Sequence, residues 1–112
     1  MLMQLQHRGQ LSAGITAYNP KDLQLLKTHK ELGLVNHAFR MDEPEKFGKL
    51  MWRLNATKAI GHVRYATCGA DDREYAQPFE RQHGRKNKWF SLAFNGNISN
   101  YKELKIGLEK KG

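Results

Sequence analysis

The sequence is poor in several features, and each scarcity restricts what the chain can be. Cys68 is the single cysteine among 112 residues, so no disulfide can form within the chain, which fits a reducing compartment. No stretch is long or apolar enough to predict a membrane-spanning helix. Residues 1–10 lack the small-residue cleavage site of a signal peptide. These scarcities together predict a cytoplasmic protein.

Apolar and acidic residues are also few. Apolar residues make up 39% of the chain, which is low for a free-standing domain and predicts that other residues complete the core. Two Trp, five Phe and four Tyr argue against disorder. The 19 basic residues exceed the 11 acidic ones and give a net charge of +8. The densest basic run, residues 81–88, is interpreted as a solvated loop, with a polyanion-binding patch as the alternative.

Periodicity in the first half predicts a mixture of helices and strands. Residues 2–7 resemble the end of a helix without a start signal, so we expect the chain to begin within an element. Strands are predicted at residues 12–18 and 23–29, joined by a turn at Asn19 and Pro20. Pro44 is expected to begin a helix. Its core-facing stripe is predicted to be Phe47, Leu50, Met51 and Leu54, and we also expect Met41, Trp52 and Trp89 to pack.

The second half alternates strands with a long polar segment. Strands are predicted at residues 58–65 and 88–94, and residues 66–88 between them are predicted to form a loop. A final helix is predicted to begin near Asn100, which could form a capping box with Glu103. Its apolar stripe comprises Tyr101, Leu104 and Leu108. The pattern favours an α+β chain with mainly antiparallel sheets.

Two short sequences could carry chemistry. Arg64 ends a predicted strand, where a guanidinium can bind a carboxylate through two hydrogen bonds, although an isolated arginine is more often a surface residue. Asn95 and Gly96 follow another strand, and Asn-Gly is a common hairpin turn. Alternatively, the Asn amide and a Gly N–H can stabilise an oxyanion. The helix predicted after Gly96 modestly favours the second interpretation.

Four motifs occur together and in order. They are HRGQLSAGI from His7, GHVRYATCG from Gly61, AQPF from Ala76 and FNGNISNY from Phe94. This series resembles the class II glutamine amidotransferases, which are Ntn-type enzymes with an N-terminal nucleophile. The motif sequences HRGQ, HVRY and AQPF are most similar to those of the amidophosphoribosyltransferase branch.

The resemblance implies both a fold and a site. It implies an α+β fold, a partial four-layer αββα Ntn-hydrolase sandwich, with residues 1–112 forming an incomplete glutaminase domain truncated at both ends. Arg64 matches the arginine that binds the α-carboxylate of glutamine, and Thr67 matches a threonine of the same pocket. Tyr65 matches the position beside the catalytic centre. Asn95 and Gly96 match the oxyanion pair.

The resemblance also implies that the nucleophile is absent from this chain. In the family, an N-terminal cysteine attacks glutamine with its own α-amino group as the base. That cysteine is expected upstream of Met1, and an aspartate that holds the substrate amino group is expected beyond the final helix. Cys68 lies in GHVRYATCG, where the family carries varied residues, so we expect ordinary reactivity there. The chain alone is therefore predicted to be inactive.

For the longer protein, the resemblance implies transfer of ammonia to phosphoribosyl pyrophosphate in purine synthesis. No cofactor or metal site is expected in this chain, and magnesium is expected only in a missing phosphoribosyltransferase domain. The implied partners are glutamine, that acceptor domain and further copies in a homo-oligomer, with no nucleic acid and no membrane. Leu11, Tyr75 and Phe94 depart from the family pattern and indicate a divergent branch. A pseudoenzyme that binds glutamine and a basic polyanion-binding module are the alternatives.

Overall fold

The computed structural model describes residues 1–5, 7, 11–65, 73–96 and 98–112. The described elements, in chain order, are α1 (Leu2–Leu5), β1 (Ser12–Tyr18), β2 (Leu26–Leu32), α2 (Val35–Ala38), α3 (Pro44–Arg53), β3 (Lys58–Arg64), β4 (Phe79–Arg81), β5 (Phe90–Leu92) and α4 (Tyr101–Glu109). Short 3-10 helices occupy Arg73–Tyr75 and Lys86–Lys88. Helices and antiparallel strands are mixed, which confirms the predicted α+β class.

The larger sheet has three antiparallel strands in the order β2-β1-β3. The predicted strands at residues 12–18 and 58–65 are confirmed, the second one ending a residue earlier. The strand predicted at 23–29 is displaced and spans Leu26–Leu32. The bend before it is longer than the predicted turn, because the Asn19 side chain accepts a hydrogen bond from the Lys21 N–H and the Asn19 N–H donates to the carbonyl of Leu25.

One face of this sheet packs against helices and forms the apolar core. The buried core residues are Ala13, Ala17, Val35, Ala38, Phe39 and Leu54. Phe47 and Leu50 of α3 pack against them, as the helical stripe predicts. Met41 and Met51 are 39% and 38% exposed, and Trp52 is 83% exposed, so the expectation that Trp52 packs is wrong. Trp52 lies on the solvent side of α3, out of phase with the stripe.

The other face of the sheet is polar and is covered by a second, two-stranded sheet. Strands β4 and β5 pair antiparallel, with Glu80 opposite Ser91. The Ser91 hydroxyl lies 2.9 Å from that of Thr16, which lies 2.7 Å from the hydroxyl of Thr28. Thr28 in turn donates to the Glu80 carboxylate. Because each hydroxyl has one proton, Thr16 is the donor to Thr28, and the Ser91 hydroxyl can donate either to Thr16 or to the Phe79 carbonyl 3.1 Å away.

Two details of the second sheet differ from the predictions. Strand β4 was missed because it has three residues and lies inside the polar segment predicted as a loop. Strand β5 spans Phe90–Leu92, shorter than the predicted 88–94, because Lys86–Lys88 forms a 3-10 helix immediately before it. The described chain thus has helices, a sheet and a second sheet in successive layers, in agreement with part of the αββα arrangement.

Helix α4 confirms the predicted position of the last helix but not its cap. Asn100 makes no side-chain capping hydrogen bond, so the predicted capping box does not form. Its φ of −106° and ψ of 30° depart from the extended conformation that capping residues adopt. No residue of α4 is buried, and the predicted stripe faces solvent. None of the described helices has the length and apolar character needed to cross a membrane.

Candidate functional site

Arg64 lies at the end of β3, on the polar side of the larger sheet. It pairs with Ser12, which is buried on that side, and cross-strand partners share a face. Its guanidinium carbon lies 5.6 Å from the centre of the Tyr75 ring, a cation–π contact. The backbone is fixed as well, because the Leu11 N–H donates to the Arg64 carbonyl at 3.0 Å. Tyr65, the next residue, is 61% exposed.

His62 lies two residues before Arg64 on the same face and connects it to the segment after β5. Burial lowers the pKa of the imidazole below its usual value of 6.5, and the positive charge of Arg64 lowers it further. Interaction with the backbone of Phe94 acts in the opposite direction. That interaction favours the protonated ring, although the buried Nδ1 atom of His62 has no hydrogen-bond partner among the described residues. His62 therefore lies beside both Arg64 and Phe94.

Asn95 and Gly96 follow Phe94 in the connection between β5 and α4. The next described element is a helix rather than a pairing strand, so the hairpin interpretation of Asn-Gly is excluded. Both residues are exposed, and their donors can be reached by a ligand. A Cβ atom added to Gly96 would lie 2.7 Å from the tip of the Phe94 ring, so a side chain there would displace the ring.

Gln77 belongs to the AQPF motif, but the sequence does not predict its contacts with Phe94 and β1. Its side-chain oxygen accepts a hydrogen bond from the Phe94 N–H at 2.6 Å. Its own carbonyl oxygen lies against β1, only 2.2 Å from where a Cβ atom of Gly14 would be. Periodicity could not reveal these contacts, since the partners are far apart in the sequence.

The predicted site residues are thus brought together in part. Arg64 and the Asn95–Gly96 pair lie on the same side of the larger sheet, connected through His62 and Phe94. Thr67 and Cys68 lie outside the described residues. Among the residues described, no group of three His, Cys, Asp or Glu side chains is placed to hold a metal ion.

Cationic side chains dominate the neighbouring surface. The Lys30 ammonium donates to the carbonyl of Ala76 at 2.7 Å and lies 5.1 Å from the centre of the Phe79 ring. Burial lowers the pKa of Lys30, and the charge of Arg73 lowers it further, whereas Glu80 raises it. A cavity of about 830 Å³ lies along the outer edge of β2 between these groups. Its lining includes neither Arg64 nor Asn95, so it is separate from the candidate site.

Comparison with known proteins identifies the family of this chain. A model of the class II glutamine amidotransferases matches residues 47–110. The chain is 39% identical to human amidophosphoribosyltransferase, with 99% of the chain and 20% of the relative aligned. It is 42% identical to the enzyme of that name from Methanothermobacter thermautotrophicus, with 99% of the chain and 21% of the relative aligned. The chain therefore spans about a fifth of the length of these relatives.

A solved structure described as the allosteric regulatory enzyme of purine biosynthesis is similar over 99% of this chain and 22% of its own. The TM-score is 0.77 at 40% identity, which confirms the Ntn-type fold expected from the sequence. Family model, relatives and fold agree: the chain belongs to the class II glutamine amidotransferases.

Proposed function

We propose that these residues form the glutamine-binding part of a glutaminase site within a longer amidotransferase. Arg64 would bind the α-carboxylate of glutamine, and the Asn95 amide with the Gly96 N–H would bind its side-chain oxygen. The observation that supports this most is that Arg64 and Phe94, the residue before Asn95, both lie beside His62 on one side of the larger sheet. Tyr65 and Thr67 are assigned to the rim of the same pocket by their motif positions.

The proposed reaction divides between this chain and the rest of the protein. A thiolate attacks the side-chain amide carbon, ammonia leaves, and water hydrolyses the glutamyl thioester to glutamate. Charge develops twice on the former amide oxygen, where the Asn95 and Gly96 donors would stabilise it. The thiol is assigned to a residue outside this sequence, so the chain's share is binding and charge stabilisation.

For the longer protein, we propose that ammonia is transferred to phosphoribosyl pyrophosphate in purine synthesis. This rests on the amidophosphoribosyltransferase relatives, which align with nearly all of this chain. The proposal includes an acceptor domain that binds magnesium, a homo-oligomer and a cytoplasmic location. A pseudoenzyme would share the glutamine pocket but release no ammonia when the longer protein is assayed.

A basic surface gives the polyanion-binding alternative a specific location. Lys46, Lys49 and Arg53 lie on one side of α3 and, with Arg40 and His29, surround a cavity of about 300 Å³. Glu43 pairs with Arg40 and Lys46, whereas Lys49 and Arg53 have no ion pair within the described ranges. A polyanion bound here would dissociate as salt rises, and its binding would be insensitive to glutamine.

Calorimetric titration of the chain with L-glutamine tests the main proposal. Replacing Arg64 by Met should weaken binding by roughly 10- to 100-fold, the range for a charged hydrogen-bonded pair. The control is Arg81→Met, since Arg81 is exposed on β4, and it should bind as the parent chain does.

A second titration uses L-glutaminamide, which lacks the α-carboxylate and therefore tests the contact of that group with Arg64. The parent chain should bind L-glutaminamide as weakly as the Arg64→Met variant binds L-glutamine. The affinity for L-glutaminamide should be the same in the parent chain and in Arg64→Met. Equal losses for Arg64→Met and Arg81→Met, or no binding of L-glutamine by the parent chain, would refute the assignment of Arg64.

A further inference from the structure

One segment of the chain contacts both halves of the candidate site. The Tyr75 ring lies 5.6 Å from the guanidinium carbon of Arg64. Two residues later, the side-chain oxygen of Gln77 accepts a hydrogen bond from the Phe94 N–H at 2.6 Å. Phe94 immediately precedes Asn95–Gly96. A single stretch of backbone thus connects the proposed carboxylate-binding residue with the proposed oxyanion donors.

The backbone that carries Gln77 is itself fixed on the larger sheet. Ala76 is 0% exposed, and its carbonyl accepts a hydrogen bond from the Lys30 ammonium at 2.7 Å. Pro78 is among the most completely buried side chains. Between them, the Gln77 carbonyl lies so close to Gly14 that a Cβ there would be 2.2 Å away. Gln77 therefore projects its amide from a rigid support.

Phe94 is held on three sides. Gln77 accepts from its N–H, the His62 imidazole interacts with its backbone, and its ring lies over Gly96. A backbone N–H stabilises an oxyanion only when it points at the place where the charge develops. The direction of the N–H groups after Phe94 depends on how the Phe94 backbone is oriented, so these contacts set the geometry of the donors.

We propose that Gln77 is a positioning residue, which holds the Phe94 backbone so that the Asn95 and Gly96 donors converge on the side-chain oxygen of glutamine. This proposal rests on the function proposed above and adds a residue that touches no substrate. Gln77 acts through Phe94, and its amide group serves as the acceptor that orients the turn.

Amide hydrogen exchange measured by NMR tests the contact without any ligand. Gln77→Met keeps the side-chain length and removes the acceptor, so the Phe94 N–H should exchange at least about tenfold faster. Gln77→Glu keeps an oxygen in place and should restore slow exchange. The matched control is Gln24→Met, because Gln24 bonds to Gln82 on the outer surface and should leave the Phe94 amide unchanged.

Binding measurements test the functional half of the proposal. Gln77→Met should weaken L-glutamine by roughly three- to tenfold, the range for one lost hydrogen bond, and Gln77→Glu should recover most of it. L-norvaline has the α-carboxylate and α-amino group but no side-chain carbonyl, so its binding should be the same in both variants. A variant that merely loosened the fold would weaken both ligands.

The outcomes of these experiments distinguish the positioning role of Gln77 from the proposed glutamine-binding function. If the parent chain does not bind L-glutamine, the proposed function fails, while the exchange of the Phe94 amide still reports on the Gln77 contact. If glutamine binds but Gln77→Met leaves both the Phe94 exchange rate and the affinity unchanged, Gln77 has no positioning role. Equal weakening of glutamine and norvaline would also overturn the proposal.

Discussion

At the scale of the single residue, the glycines of this chain differ sharply in what surrounds them. Gly14 lies in β1 beneath the Gln77 backbone, and an added Cβ would also lie 2.7 Å from Cβ of Lys30. Gly48 lies on the exposed side of α3 with no atom within 4 Å of an added Cβ. The same substitution therefore has opposite expected effects at the two positions.

Gly14→Ala should lower the free energy of unfolding by about 1–3 kcal/mol, because backbone atoms must shift to accommodate the methyl group. Gly48→Ala should raise it by about 0.5–1 kcal/mol, since alanine restricts the unfolded chain and favours the helix. Urea titration of the two variants measures both changes. A neutral Gly14→Ala variant would show that the segment around Gln77 is not fixed on β1.

His62 predicts a dependence of stability on pH. Its pKa is lower in the folded chain than the value of 6.5 expected when unfolded, so the unfolded state takes up a proton first as pH falls. The contribution of His62 to stability is therefore full above about pH 7.5 and declines through its folded pKa as the solution is acidified. In His62→Gln, unfolding free energies between about pH 8 and pH 5 should vary less steeply than in the parent chain.

The control for this experiment is His83→Gln, because His83 is exposed at the end of the second sheet. Its pH profile should follow that of the parent chain. If His62→Gln and the parent chain lose stability equally on acidification, the imidazole is not held in a desolvated position.

At the scale of the element, α3 shows how one helix combines a packed side with a free one. Leu54, at its end, is 8% exposed within the core, whereas Trp52 is 83% exposed. Leu54→Ala should lower the free energy of unfolding by about 2–4 kcal/mol through lost burial and the cavity left behind. Trp52→Ala should change it by less than about 0.5 kcal/mol. Thermal and urea unfolding would detect the contrast, which equal effects would contradict.

The elements that periodicity predicted well are those with a clear apolar alternation. Strand β1 was predicted with its full bounds because alanines alternate with polar residues between a buried and a polar face. Strand β4 was missed because three residues are too few to show alternation, and it depends on pairing with β5. The cap at Asn100 failed for a related reason, since a capping box needs a backbone conformation that the sequence does not specify.

At the scale of the whole molecule, large apolar side chains remain on the surface. Leu104 and Leu108 of α4 are 47% and 69% exposed, and Phe90 and Leu92 of β5 are each 53% exposed. Large exposed apolar side chains of this kind promote association. We therefore expect the chain alone to self-associate.

Leu104→Lys combined with Leu108→Lys should shift the chain toward the monomer in sedimentation velocity, because charge replaces the exposed stripe of α4. A matched pair away from that stripe, Lys102→Gln in α4 with Lys110→Gln immediately after it, should not. A parent chain that is monomeric at high concentration and unfolds cooperatively would contradict the idea that its core and surface are completed by other residues.

The candidate site was predictable to the extent that motifs carried it. Arg64, Asn95 and Gly96 were identified because their neighbours in sequence resemble a family pattern. His62 and Gln77 were not identified as supporting residues, because their contacts with Phe94 join segments that only the packing of one sheet on another brings together. Sequence motifs therefore point to candidate ligand-binding residues more readily than to the residues that pack beside them.

The polar hydrogen bonds between the two sheets have a consequence for how the layers can separate. Across the two layers Ser91 bonds to Thr16 and Thr28 donates to Glu80, and water offers the same bonds when the layers separate. Separation of the sheets at these residues exposes hydroxyl and carboxylate groups, whereas separation of the larger sheet from its helices exposes the alanine-lined core.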